Sequence, residues 1–172
     1  MRIATILLLL ITLGTSLSMV PHKALNLAAI DAHVLEIQKQ ASYSKQIHKE
    51  IYDQSTQGGE MIAYLDNSSY PMLVTATFYG ETGKSTDSLY YWNKQLCYAK
   101  TVNSQYDKSI YWDNGKVNIV KQDAYTAYFR PNSMDYLFIN GKAITDSVQM
   151  KKFEQDMFRS SRMLLDSCYI VP

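Results

Sequence analysis

Residues 137–142 have the sequence Leu-Phe-Ile-Asn-Gly-Lys, an apolar run that ends in a residue pair typical of tight hairpin turns. Asn and Gly tolerate the positive φ angles that two-residue hairpin turns require. Residues 63–67, 90–94 and 110–116 have the same character, an aromatic strand end that runs into a turn. The whole stretch from residue 60 to 145 is rich in strand-forming residues with turn residues at short intervals. This pattern predicts an antiparallel β meander of about seven strands.

Apolar residues spaced three and four apart flank the meander on both sides. The spacing predicts a helix over residues 24–51 and a second helix over residues 146–166, with Asp146 or Ser147 as its N-cap. Each helix has one apolar stripe that must be buried, so we expect both helices on one face of the sheet and a free second face. The predicted fold class is α+β, in a single domain over residues 19–172.

Residues 1–18 have the parts of a secretion signal: Arg2, an apolar run over residues 3–13, and small polar residues up to Ser18. Cleavage after Ser18 predicts a periplasmic or secreted protein. The alternative is a retained membrane anchor, although the apolar run is shorter than the roughly 20 residues that span a bilayer.

Cys97 and Cys168 are the two cysteines of the chain. In an oxidising compartment an even pair of cysteines favours a disulfide, which here would join the meander to the C-terminus. The alternative is two buried free thiols.

Charge and motif content argue against several classes of function. The chain has 17 basic and 16 acidic residues, and removing residues 1–18 removes only Arg2. The sequence has no cluster of Lys and Arg of the kind that binds nucleic acid. Residues 80–86, Gly-Glu-Thr-Gly-Lys-Ser-Thr, lack the first glycine and the following helix of a phosphate-binding loop, so we predict a hairpin loop and no nucleotide. The 3 histidines all precede residue 49 without a ligand pattern, so no metal or cofactor is predicted.

The aromatic hairpins that end in Asn-Gly-Lys resemble those of exported bacterial proteins of unknown function. More distantly, they resemble the hairpin repeats of the MORN type. The resemblance covers residues 60–145 and implies β hairpins without an activity.

Amphipathic aromatic residues supply the candidate site. The chain has 14 Tyr and 2 Trp against 5 Phe, and such rings suit half-exposed sheet surfaces and recognition patches. Trp92 and Trp112 hold equivalent repeat positions, so we expect them on one side of the sheet, with Tyr91 and Tyr111 on the other. These rings either form cross-strand ladders that hold the sheet or bind a protein, peptide or glycan.

The sequence contains no catalytic motif, and this favours a non-catalytic exported binding module of the inhibitor, immunity or envelope-accessory type. Two alternatives stay open. One is a secreted hydrolase with a carboxylate-based site, and the other is a structural envelope component without a ligand pocket.

Overall fold

The computed structural model describes residues 24–52 and 54–169. A helix precedes one antiparallel sheet of 8 strands, a second helix follows it, and each strand pairs with its neighbours in the chain. The helices are α1 (Leu27–Ala41) and α2 (Ser147–Tyr169), and the strands are β1 (Gln46–Ile51), β2 (Gly59–Leu65), β3 (Pro71–Gly80), β4 (Gly83–Trp92), β5 (Gln95–Tyr106), β6 (Ile119–Arg130), β7 (Ser133–Ile139) and β8 (Lys142–Ala143). The α+β class, the meander and the two helices are confirmed, and the predicted signal peptide lies outside the described residues.

The first helix is shorter than the predicted span of residues 24–51. It begins at the cap Asn26, whose side chain accepts a hydrogen bond from the Ala29 N–H at 3.1 Å, and it ends at Ala41. The hydroxyls of Ser42 and Ser44 donate to carbonyls of the last turn and so close the helix. The residues after this end form β1, which pairs with β2 along its whole length.

Four hairpins close through two-residue turns, at residues 81–82, 93–94, 131–132 and 140–141. The predicted turn at Asn140 and Gly141 is one of them, with φ angles of 50° and 78°. Residues 80–86 likewise form the β3–β4 hairpin, as predicted, with Gly80 opposite Gly83. A Cβ atom at Gly83 would lie 2.4 Å from the carbonyl oxygen of Ser104, so this position requires glycine.

The predicted hairpin at residues 110–116 is instead a longer connection between β5 and β6. Asn114 and Gly115 do have positive φ angles, 55° and 79°, but they belong to a short 3-10 turn, Asp113–Gly115. The Ile110 N–H donates to the carbonyl of Glu81 in the β3–β4 turn at 3.0 Å. The connection therefore packs against the neighbouring turn, and the returning strand begins at Ile119.

One face of the sheet packs against α2. Its buried residues include Met61, Val74, Leu89, Ala99 and Leu137, and α2 adds Met157, Leu164 and Cys168 to the same cluster. Across the paired strands, this face combines large aliphatic residues, such as Val74 and Leu89, with the small residues Ala99 and Ala127. Asp146 caps α2 by accepting from the N–H groups of Val148 and Gln149 at 2.8 and 3.0 Å.

The opposite face packs against α1. Ile30, Val34, Ile37 and Ala41 of the helix cluster with Leu73, Tyr90 and Tyr128 of the sheet. Leu89 and Tyr90 are consecutive and belong to different clusters, because successive side chains of a strand point to opposite faces. The expectation that both helices share one face is therefore corrected: the sheet has two apolar faces, and each helix covers one.

A buried polar seam lies between α2 and the sheet. The Asp87 side chain is 5 % exposed and accepts hydrogen bonds from the Thr101 hydroxyl at 2.7 Å and the Ser160 hydroxyl at 3.3 Å. Burial raises the pKa of this carboxyl group, and the two hydroxyls offset part of that increase. The folded state therefore binds the Asp87 proton more tightly than the unfolded chain does, so ionisation of Asp87 destabilises the folded protein.

Replacing Asp87 by Asn is expected to stabilise the protein at neutral pH. The stability that a raised pKa contributes is complete below the unfolded value of 3.8 and is lost as pH rises through the folded value. The amide keeps an acceptor for Thr101 without a charge, so the free energy of unfolding should rise by on the order of 1 kcal/mol. Urea denaturation at neutral pH and at about pH 3 should show this gain only at neutral pH. Asp156→Asn, at an exposed position of α2, is the matched control, and a destabilising Asp87→Asn would contradict the assignment.

Candidate functional site

The structure separates the four aromatic residues that the sequence grouped together. Tyr91 is 4 % exposed and lies on the α2 face, where its hydroxyl is 2.9 Å from the Ser161 Oγ. Trp92 is 40 % exposed at the end of β4. Tyr111 and Trp112, 65 % and 66 % exposed, belong to the β5–β6 connection. Since β5 runs from the Trp92 end of the sheet to that connection, Trp92 and Trp112 lie at opposite ends, and their predicted equivalence is wrong.

A tyrosine ladder lies beneath α1. Tyr90, Tyr98 and Tyr128 are paired across β4, β5 and β6, with edge-to-face ring contacts at centroid distances of 5.4 and 5.2 Å. Their hydroxyls reach the helix: Gln38 donates to Tyr90 at 2.9 Å, and Tyr128 donates to Asp31 at 2.8 Å. These rings therefore hold the sheet and α1 together.

Beyond this ladder, the α1 face also includes Tyr64 and Phe138, which pack against the same cluster. Its neighbouring positions on the paired strands are Thr75, Thr77, Thr86 and Ser88, all half-buried. The Thr77 and Thr86 hydroxyls lie 3.3 Å apart and satisfy each other. This part of the α1 face is thus a small hydroxyl-lined surface.

Concave surfaces occur at what we call the hairpin end, the end of the sheet formed by the β4–β5 turn (residues 93–94) and the β6–β7 turn (residues 131–132). Asn93 and Lys94 both have positive φ angles, 50° and 64°, as in a type I′ turn. Pro131 followed by Asn132 with φ 66° matches a type II turn. Both turns are short and paired at their base, so the hairpin end is a well-defined scaffold.

On the α1 side of the hairpin end lies a cavity of about 290 Å³, the Trp92 pocket. The start of α1 and the two hairpins converge on it, and its apolar lining includes Leu25, Ile30, Trp92, Leu96, Cys97 and Phe129. The Trp92 ring stacks on His33 of α1 with centroids 4.4 Å apart and an interplanar angle of 24°. Asn26, Asn93 and Gln95 add polar groups at the rim. The pocket is suited to an apolar group with polar surroundings.

Arg130 lines this pocket and also a cavity of about 140 Å³ beside α2. Its guanidinium group forms an ion pair with Asp135, with 2.5 Å between Nε and Oδ2, so its charge is compensated within the β6–β7 hairpin. On the α2 side, a groove of about 740 Å³ runs along the helix from Glu154 to Ser167. We call it the α2 groove; Phe158 and Met163 form its apolar floor, and Arg159 and Arg162 lie at its wall.

The expected disulfide does not form: both cysteines are free and buried. Cys97 belongs to the apolar cluster under α1, and Cys168 belongs to the cluster under α2. The sheet lies between them, and the sequence gives no indication of this because it does not assign helices to faces. Burial raises the pKa of Cys97 to about 12, so this pocket thiol is a poor nucleophile at neutral pH.

Among the described residues, no group of three or more His, Cys, Asp or Glu side chains could hold a metal ion. In the same part of the chain, neither helix is long and apolar enough to cross a membrane. Comparison with family models, curated proteins and solved structures finds no match for this chain.

Sequence reasoning missed two parts of the hairpin end. The Trp92 pocket requires three segments to converge in space, and no local pattern predicts that. A sequence pattern could have predicted the cationic wall of the α2 groove. Arg159 and Arg162 are three residues apart, so they share a side of the helix that the apolar stripe does not occupy.

The free thiols are testable by titration. Protein purified without reductant and unfolded in guanidinium chloride should react with Ellman's reagent at both Cys97 and Cys168. The native protein should react slowly, because both thiols are buried. The variants Cys97→Ser and Cys168→Ser should each lose half of the denatured signal. Unfolded protein that reacts only after reduction would instead establish the disulfide.

Proposed function

We propose that this chain is an exported, non-catalytic binding module that holds an apolar group of a protein, peptide or glycan in the Trp92 pocket. The observation that carries the proposal is the pocket itself, an apolar cavity of about 290 Å³ with a partly exposed tryptophan at its edge. Tryptophan is frequent among the residues that dominate binding energy, because a large ring loses little side-chain entropy on binding.

The stacking of Trp92 on His33 supports this role. A ring held in place before the partner arrives has a small ordering cost on binding. The neighbouring backbone is also fixed, because Trp92 pairs with Gln95 across a two-residue turn. Asn26, Asn93 and Gln95 surround the apolar lining with hydrogen-bonding groups, which is the usual arrangement of an interface with an apolar centre and a polar rim.

A hydrolase with two facing carboxyl groups receives no specific support from the described residues. Asp87 is the described carboxyl group whose pKa burial raises, and it lies under α2 with hydroxyl partners.

Substituting Trp92 by Ala is expected to weaken capture of the partner by about 2 kcal/mol, as for a central interface tryptophan. The measurement is a quantitative pull-down from a cell-envelope extract with the chain from residue 19 as bait, followed by titration of the captured partner. Trp112→Ala is the matched control, since that tryptophan is exposed at the opposite end of the sheet. Circular dichroism and urea midpoints report whether each variant is folded.

Gln95→Glu provides a second variant if Trp92→Ala is unstable. Gln95 is exposed at the rim, so a charge there impairs binding of an apolar group without removing any packing. Equal capture by the wild type, Trp92→Ala and Gln95→Glu would exclude the pocket as the binding site.

A further inference from the structure

The α2 groove differs in character from the Trp92 pocket. Its floor is apolar, with Phe158 and Met163 half-buried, and its wall has Arg159 and Arg162, both exposed. A neighbouring cavity of about 540 Å³ shares Phe158 and Arg162 with it and adds Lys94 of the β4–β5 turn. Together they form one surface with three cationic groups and two acidic ones, Glu154 and Asp166, beside an apolar floor.

The charges of this surface are only partly compensated. The described residues provide no ion pair or hydrogen bond to Arg159 or Arg162, and Lys94 lies over the Tyr70 ring at 5.4 Å from its centroid. At the far end of the groove, the Glu154 carboxylate accepts a hydrogen bond from the Met134 N–H at 2.6 Å, which ties α2 to β7. The guanidinium groups are thus available for a carboxylate, which they bind in a bidentate manner.

We propose that the α2 groove binds an acidic, extended segment of a partner protein. Carboxylates on alternate residues of the segment lie on Arg159 and Arg162, and an apolar side chain two residues away, on the same side of the segment, packs on Phe158. The two arginines are three residues apart on the helix, and neighbours at this spacing have Cβ atoms about 5–6 Å apart. Alternate side chains of an extended peptide lie at a similar distance, about 6.6 Å. The proposal stands independently of the Trp92 pocket.

A protein segment suits the groove better than a phosphate-rich ligand or an anionic lipid surface. Asp166 and Gln155 also line the groove, and their oxygens accept hydrogen bonds from peptide N–H groups. A polyphosphate or a layer of lipid phosphates has few donors for these oxygens. The long concave shape parallel to α2 also fits a chain rather than a flat surface.

The probe is a synthetic peptide with Leu, Glu and Glu at successive alternate positions and Ser between them, labelled with fluorescein and titrated with the protein by fluorescence anisotropy. Its control is the same peptide with Gln in place of Glu. We expect binding of the Glu peptide that weakens as salt is raised, because exposed ion pairs are screened, and markedly weaker binding of the Gln peptide. Trp92→Ala should bind the Glu peptide as the wild type does.

The double variant Arg159→Glu, Arg162→Glu should bind the Glu peptide at least about tenfold more weakly, since it reverses both contacts. Lys151→Glu, Lys152→Glu makes the same change of charge at exposed positions of the same helix and should bind within about twofold of the wild type. If the first double variant is unfolded by circular dichroism, Arg159→Gln, Arg162→Gln replaces it.

Three results would overturn the proposal: equal losses in both double variants, equal binding of the Gln peptide, or cosedimentation with anionic phospholipid vesicles without peptide binding. The first would indicate unspecific attraction, and the last would indicate a membrane surface. Loss of the Trp92-dependent pull-down with intact peptide binding would count against the pocket alone.

Discussion

The alternation of side chains along β4 controls the architecture. Leu89 and Tyr91 point to one face, and Tyr90, between them, points to the other. All three are almost completely buried, so neither face of this central strand can be left in water. Burying a large apolar side chain contributes about 1.5–3 kcal/mol. Each face of the sheet must therefore be buried by another element. Helix α1, before the sheet in the chain, buries one face, and α2, after it, buries the other.

Tyrosines connect the two helices to the sheet through their hydroxyl groups. The rings lie in the apolar layer, while the hydroxyls of Tyr90, Tyr91 and Tyr128 meet polar groups of the helices. A phenylalanine would fill the same space without fixing where a helix lies. The sequence could equally assign such tyrosines to a binding face, but these three attach the helices to the sheet.

Local signals predicted the meander, its tight turns and α2, because these depend on periodicity and on residues that tolerate positive φ. The end of α1 was missed because Ile47 and Ile51 are four residues apart, which fits a helix and also every second position of a strand. The Cys97–Cys168 bond and the equivalence of Trp92 and Trp112 failed for a different reason. Both depend on which face or end of the sheet a residue reaches, and that is decided by tertiary packing.

The two helices also determine where the two proposed binding surfaces lie. Because each of them lies across a face, the larger concave surfaces occur where the layers end and the chain turns back. At the hairpin end, Trp92 is the last paired residue of β4 and precedes a turn with two positive φ angles, so both its backbone and its ring are held. The α2 groove opens on the opposite side of the same two turns. Short rigid turns can therefore hold the proposed apolar contact at the Trp92 pocket and the proposed charged contact at the α2 groove at a fixed separation. In such an arrangement the apolar contact supplies affinity, and the charges favour one orientation of the partner.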